Sequence, residues 1–237
     1  MEDWKDPETA QSWNADQVRN NPLRAEQLDL LLSIVAAEYR PGDTIIDIGM
    51  GAGHVEEILF ERLPAAQVLG IDSSEPMVQL AHARLSDYRQ QNSVVMHDLR
   101  EIGTLQLPAV RYSLAFSVQT IHNVEDRYKR ETFAFIYRTL APGGLFLLLD
   151  RIAVDTPNLY DVYKAAWSRL NRVHGTGKIE GATYQEHLDI VGTRGDLPVS
   201  LEQHLQWLRE AGFEAACLHL HGNRALFAAR KVGVSET

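Results

Sequence analysis

The chain has 237 residues, of which 45% are hydrophobic and 23% charged, enough for one large α/β domain with its own core and too apolar for wholesale disorder. Its formal net charge of −9 leaves no general basic face for a phosphate backbone, so a nucleic-acid partner is not expected. Cys217 is the single cysteine, which excludes an intramolecular disulfide and a cysteine-based metal cluster.

The opening stretch, MEDWKDPETAQ, has neither the basic start nor the apolar run of a secretory signal, so a cytoplasmic location is expected. Residues 1–20 read as a separate N-terminal helix. From about residue 22 to 150, strand-like and helix-like stretches alternate, the pattern of a mainly parallel sheet with helices on both faces. Asn21 as a cap and Pro22 at the first helical position open a helix through Leu23, Leu28, Leu31 and Leu32, which stops before Pro41-Gly42. TIIDIG (44–49) is almost wholly apolar, as expected of a strand covered on both faces. A helix from about Gly53 buries Val55, Ile58 and Leu59. QVLGID (67–72) is the second strand. Ser74 then caps a helix with Pro76 in its first turn and Met77, Leu80, Ala81 and Leu85 as its apolar stripe. SVVMHD (93–98) and YSLAFS (112–117) are the third and fourth strands. Phe133, Ile136, Tyr137 and Leu140 mark the next helix, stopped by Pro142-Gly143-Gly144. LFLLLDR (145–151) is the fifth strand and the central one. Its apolar run is far too short to cross a bilayer, so no membrane partner is expected.

Residues 152–199 are polar, aromatic and glycine-spotted, fit no sheet strand, and read as an inserted helical lid. Ser200 with Gln203 resembles a capping box that opens a helix through Leu205 and Leu208 to Gly212. FEAACLHLH (213–221) and ALFAARK (225–231) flank Gly222-Asn223 as an antiparallel hairpin. A single domain is therefore expected. It comprises the N-terminal helix (1–20), a cofactor-binding core (21–151), a lid and substrate region (152–199), and a closing helix and hairpin (200–231). The expected fold is α/β, a doubly wound, mostly parallel seven-stranded Rossmann-like sheet.

A glycine-rich turn between the first strand and helix lets backbone approach a ligand closely. In IIDIGMGAGH (45–54), Gly49, Gly51 and Gly53 alternate after Asp47, unlike the GxGxxG spacing of dinucleotide-binding folds. This DxGxGxG string resembles motif I of the class I S-adenosylmethionine-dependent methyltransferases. LAPGG (140–144) and LREAGF (208–213) are similar to further stretches of that family, and the resemblance spans roughly residues 25–151 and 200–231. It implies S-adenosylmethionine as cofactor and S-adenosylhomocysteine as product. Asp47, Gly49, Met50 and Gly51 would hold the methionine end, with Asp47 accepting from its cationic amino group. Asp72, with Ser73, would take the ribose hydroxyls, and Asp98 with Leu99 the adenine. Met77 would lie beside the adenine, or simply continue its helical stripe as core. Ser117 would form part of the floor beneath the sulfonium, and Trp13 stands where the family often places an aromatic that covers the cofactor.

In open α/β sheets the site lies beyond the strand C-termini where strand order reverses, here at strands one and four. SVQTIHNVED (117–126) lacks the (N/D)PP(Y/F) string of nucleic-acid amino-methyltransferases and resembles the small-molecule branch. His122 is the candidate general base, with packing beside the methionine arm as its other reading. In the lid, Tyr160, Tyr163, Trp167 and His174 recur at spacings that line one helix face, suited to a ring-containing acceptor or to a lid core. Arg172 has the chemistry to fix a carboxylate on the acceptor. Asp150 and Arg151 either face the acceptor or pair with each other. Glu125, Asp126 and Asp150 are too scattered for a metal ligand set, so no metal is expected. The expected function is methyl transfer to oxygen or nitrogen of a small, by preference aromatic, metabolite by a monomer or homodimer. Two alternatives stay open. RVHG (172–175) resembles the lid of carboxy-S-adenosylmethionine synthases, which alkylate the cofactor with a carboxylate donor, and a non-catalytic cofactor-binding or partner-binding module would keep the same fold.

Overall fold

A computed structural model describes residues 4–12, 21, 23–175 and 181–233. The strands are β1 (Thr44–Ile48), β2 (Gln67–Asp72), β3 (Asn92–Met96), β4 (Tyr112–Val118), β5 (Leu145–Arg151), β6 (Phe213–His221) and β7 (Arg224–Lys231). They form one seven-stranded sheet in the order β3-β2-β1-β4-β5-β7-β6. β1 to β5 are mutually parallel, and β7 runs antiparallel to both β5 and β6. The helices outside the N-terminal segment are α1 (Arg24–Glu38), α2 (His54–Arg62), α3 (Glu75–Arg84), α4 (Asp126–Thr139), α5 (Tyr160–His174), α6 (Tyr184–Arg194) and α7 (Leu201–Glu210).

Alternation along the strands divides the core into two layers. Ile45 of β1 and Leu145, Leu147 and Leu149 of β5 join Leu31 and Leu32 of α1 and Leu59 of α2 on one face. Ile46, Ile48, Phe146 and Leu148 point the other way, onto Phe133 and Ile136 of α4 and Leu208 of α7. Because both faces are covered, the inner strands are apolar throughout, and β4 is buried at every position. Strand order reverses between β1 and β4, so their C-terminal loops part there and open a crevice.

Several boundaries differ from the sequence expectation. β4 is the middle strand, and β5 lies one step away between β4 and β7. α1 starts at Arg24 with no side-chain cap, because Asn21 closes a turn before it: Arg24 N–H donates to Asn21 O (3.0 Å) and Leu23 N–H to Asn21 Oδ1 (3.3 Å). Pro22 lies outside the described residues. β3 ends at Met96, and Asp98 instead caps a 3₁₀ turn over Leu99–Thr104 by accepting from Arg100 N–H. Ser74 and Ser200 cap α3 and α7 as expected, accepting from Met77 N–H and Gln203 N–H.

The lid region holds α5 and α6 and carries one sheet-like contact, a parallel bridge between Ile152 and Val199. Tyr160 and Trp167 form its core with Val154, and Tyr163, Leu170 and Tyr184 pack against them. Near the N-terminus, residues 7–12 are helical, and Ala10 packs on Ala52 and Met77. Among the described residues, no helix is long and apolar enough to cross a membrane.

Candidate active site

A cavity of about 310 Å³ opens at the C-terminal edge of the sheet, walled by the turn after β1, the ends of β2 and β4, and the lid's exit. The turn after β1 needs its glycines. Gly49 has φ 79°, and a Cβ there would stand 2.1–2.7 Å from the Thr120 side chain, whose Oγ1 donates to Gly49 O (3.1 Å). Gly51 has φ 55°, and a Cβ built on it would meet nothing within 4 Å. Gly51 N–H donates to Asp72 Oδ2 and Ser74 N–H to Asp72 Oδ1, both at 2.8 Å. Burial raises the Asp72 carboxyl, and these backbone donors only partly offset that rise. The sequence places this acid at the end of β2, where it braces the glycine turn that follows the neighbouring β1.

Other loop residues sit behind the wall. Met50 turns into the core against Gly70, where a Cβ would lie 2.2 Å from its sulfur. Ser117 Oγ donates to Ile48 O (2.8 Å) and ties β4 to β1. Asp47 is buried beneath the turn, beside the equally buried Glu56 of α2. Asp47 Oδ1 and both Glu56 oxygens find no donor, so only a proton held on one carboxyl links the two. Burial raises both carboxyls. Asp47 goes well above the carboxylate range, with the Glu56 charge adding to the rise.

Asp98, Leu99 and Met77 line the end of the cavity over β2 and β3. At the end of β4, Gln119 has φ 56°, the one positive φ of a non-glycine among the described residues. Such a conformation is uncommon for a side chain of this kind and concentrates at functional sites. Gln119 lines the same cavity, and its Nε2 is buried without a hydrogen-bond partner.

His122 follows in a 3₁₀ turn, 5% exposed. Its Nδ1–H donates to Asp150 Oδ1 (2.5 Å) and its backbone N–H to Asp150 Oδ2 (2.9 Å). Arg151 N–H gives the same carboxylate a third bond at 2.8 Å. Burial alone would raise Asp150, but the His122 charge and hydrogen bond outweigh it and hold the carboxyl below its ordinary value. With Nδ1 committed, Nε2 is the free nitrogen, 3.6 Å from Asp196 Oδ1. Asp196 comes from the lid's exit and is paired with Arg151. Leu197 N–H donates to His122 O (2.7 Å), fixing the lid's exit on the histidine turn.

The cavity thus brings together Gly49, Asp72, Ser73, Met77, Asp98, Leu99, His122 and Arg151 of the residues singled out from sequence. Asp47, Met50, Gly51, Ser117 and Asp150 stand behind or beside its walls. Tyr163 and Trp167 belong to the lid core, and Arg172 and His174, in the last turn of α5, are not among the lining residues. Trp13 lies outside the described residues, and Trp4 lines the cavity instead. Sequence reasoning missed Arg24, Arg194, Asp196 and Arg224, which also line it. Only Asp196 had a local signal, Gly195 ending α6 just before it. Among the described residues, no group of three His, Cys, Asp or Glu side chains is arranged to hold a metal ion.

Residues 45–144, from β1 to the turn before β5, match the methyltransferase-domain family. Over that stretch the chain is similar to class I methyltransferase domains. The chain has curated relatives of modest identity. A carboxy-S-adenosyl-L-methionine synthase of Desulforapulum autotrophicum is 28% identical over 204 residues, 83% of this chain and 77% of that protein. The uncharacterized methyltransferase YcgJ of Bacillus subtilis is 28% identical over 181 residues, 76% of this chain and 67% of that protein. The YcgJ crystal structure shares the fold at a TM-score of 0.63 and 17% identity, covering 89% of this chain and all of that one. An O-methyltransferase family protein of Burkholderia thailandensis gives 0.60 at 16% identity over 92% of this chain, which spans only 59% of that longer one. S-adenosylmethionine is the methyl donor of the class I family.

Proposed function

We propose that this chain binds S-adenosylmethionine in the 310 Å³ cavity and transfers a methyl group to oxygen or nitrogen of a small metabolite. The observation that carries the reading is the His122–Asp150 pair, which opens on the same cavity as the Gly49 turn and Asp72. The residues fit the cofactor. A carboxylate has about four acceptor positions, and each Asp72 oxygen spends one on a backbone N–H, so acceptor capacity remains for two ribose hydroxyls. The open face of Gly51 admits a ligand against the backbone, and the partnerless Gln119 amide offers a buried donor. Asp98 and Leu99 supply an acceptor and an apolar wall at the adenine end. Asp47 acts from beneath the turn, through the field of its carboxyl pair with Glu56.

When bound, S-adenosylmethionine supplies an electrophilic methyl group on a sulfonium. The chain's own task is alignment and proton removal. Asp150 fixes the His122 ring with Nε2 as the free base. A proton taken there lies between two carboxylates, Asp150 across the ring and Asp196 from the lid. The lid's rings stack on one another, with Tyr160–Trp167 centroids at 5.9 Å and Tyr160–Tyr184 at 5.7 Å. Nothing in that packing reserves them for an aromatic acceptor, so the reading is of a small acceptor held at the sheet edge.

Incubating the purified protein with S-adenosylmethionine and a library of phenols, amines and carboxylic acids, and assaying S-adenosylhomocysteine, tests this directly. Tight cofactor binding without turnover on any acceptor would defeat it and favour a binding module. A second reading, carboxy-S-adenosylmethionine synthesis, is favoured by the relatives that carry that name. Mass spectrometry of cofactor retained by the purified protein separates the two, because the carboxylated form is heavier.

A further inference from the structure

Lys129 breaks two local rules at once. It is the fourth residue of α4, where the helix dipole disfavours a cation, and it is fully buried, which lysines almost never are unless paired. Its Nζ donates to Val124 O (2.6 Å) and to Asp126 Oδ1 (3.0 Å). Val124 directly follows the 3₁₀ turn that carries His122, so the first bond ties down the far end of that turn. Burial pulls the Lys129 ammonium down, and the charges of Asp126, Asp150 and Glu125 hold it up. The Asp126 and Glu125 side chains are more than half exposed, and Asp150 is fully buried. Water screens the first two, so Asp150 is the anion that most needs the ammonium.

The other groups around Asp150 do not supply that charge. His122 donates to it from Nδ1 and must be neutral to act as a base. Arg151 gives it a backbone N–H and turns its guanidinium to Asp196, which faces His122 Nε2 from the lid's exit. His204 of α7 is buried as well, and its Nδ1–H donates to Ser200 O (3.1 Å), leaving Nε2 bare and without a partner. Burial pushes this imidazole below the ordinary histidine value against the pull of Asp150, so it is uncharged at neutral pH.

We propose that Lys129 is a positioning residue for His122: its ammonium is the counter-charge of Asp150 and holds the end of the His122 turn. This rests on the reading above, in which His122 is the base. Lys129 is not among the residues lining the cavity, so it acts through Asp150 and not on the acceptor. While His122 is neutral, Asp150 and Lys129 balance one another. Without Lys129, Asp150 becomes an uncompensated buried anion, and His122 takes up a proton more readily to satisfy it. The base is then occupied at pH values where the native chain has it free.

The test is NMR on the full, unliganded chain, following the His122 ring through a pH titration, with its signal assigned by its loss in His122→Gln. In Lys129→Met the midpoint should rise by about one pH unit, the scale of removing one nearby charge. Lys129→Arg, which keeps the charge, should bring it back toward the native value. An unmoved midpoint in Lys129→Met, or an equal rise in Lys129→Arg, overturns the proposal. If Lys129→Met does not fold, the native chain decides. The nitrogen shift of Lys129 Nζ should be that of an ammonium throughout the range in which His122 loses its proton, and a neutral amine there overturns the proposal. Once an acceptor is known, the acid limb of kcat/KM should move with the midpoint, whereas a rate that falls equally at every pH would make Lys129 structural only. Absence of turnover on any acceptor would instead overturn the functional reading, with the coupling of Lys129 to His122 still decided by NMR.

Discussion

Asp72→Ala is the sharpest test of the cofactor half of the site. In the native chain each Asp72 oxygen accepts one backbone N–H at 2.8 Å, from Gly51 and from Ser74, and the carboxylate keeps capacity toward the cavity. A hydrogen bond to a charged group is worth about 1.5–3 kcal/mol, so losing the ribose contact should weaken S-adenosylhomocysteine binding roughly 10- to 150-fold. Asp72→Asn should recover little, because its NH₂ would be set against one of the two backbone N–H donors. Stability of the unliganded chain should fall less than affinity does, since removing Asp72 also removes a carboxylate that burial penalises. Calorimetric titration with S-adenosylhomocysteine, run beside thermal unfolding of the unliganded variant, separates the two effects. The pH dependence follows from the same geometry. The ionised carboxylate is the stronger acceptor for a diol, with both oxygens available, and burial raises the Asp72 pKa, so affinity should decline with falling pH sooner than for an ordinary aspartate. A dissociation constant within about twofold of wild type would refute the ribose role, since that is far below the effect of one charged bond.

His122→Ala should slow methyl transfer by roughly 10²–10⁴-fold while leaving cofactor affinity intact, and a nearly unchanged rate would reduce His122 to packing. Asp150→Asn keeps the shape but loses the charge that holds the His122 ring. Because burial of Asp150 is outweighed and its pKa depressed, its stabilisation is present above the unfolded carboxylate pKa and lost as pH falls through the folded one. Denaturant unfolding should therefore show the wild-type advantage at neutral pH and its disappearance in acid, and a pH-independent gap would count against the pairing. The Asp47–Glu56 pair has the opposite sign. Its raised pKa values mean that stability is full in acid and lost as pH climbs through them. Glu56→Gln should flatten that decline in thermal melts taken at increasing pH, and an unchanged slope would show that the pair does not titrate together.

What could be read from sequence was what is local in the chain. β2 and β5 fall on the expected residues because each is an apolar run bounded by turn or helix-start residues, Ser73-Ser74 after one and Pro142-Gly143-Gly144 before the other. β3 was displaced because it is only half-buried, with no position fully covered, so its pattern gives no sharp edge. The glycine turn was legible since positive φ at Gly49, Gly51 and Gly53 restricts residue choice. In the lid, the spacing of Tyr160, Tyr163 and Trp167 told which residues share a face, and tertiary packing decided that this face looks at α6. The five arginines that line the cavity, Arg24, Arg100, Arg151, Arg194 and Arg224, come from separate elements, and no periodicity in one segment records that they converge.

The connection from the lid back to the sheet shows why the histidine side of the cavity was the harder half. α6 ends at Arg194, and Gly195 follows at φ 76°, where a side chain would strain the turn. Gly195 N–H returns to Gly192 O and Asp196 N–H to Val191 O, so the chain reverses within two residues and Asp196 faces His122. Leu197 N–H then donates to His122 O, and Ala153 N–H to Val199 O, which lays residues 196–199 along the exit of β5. Asp150 therefore reaches His122 from the sheet, and Asp196 reaches it from the lid. One carboxylate comes from the sheet and the other from the lid's exit, so displacing residues 196–199 would move Asp196 away from Nε2 without disturbing the bond to Nδ1.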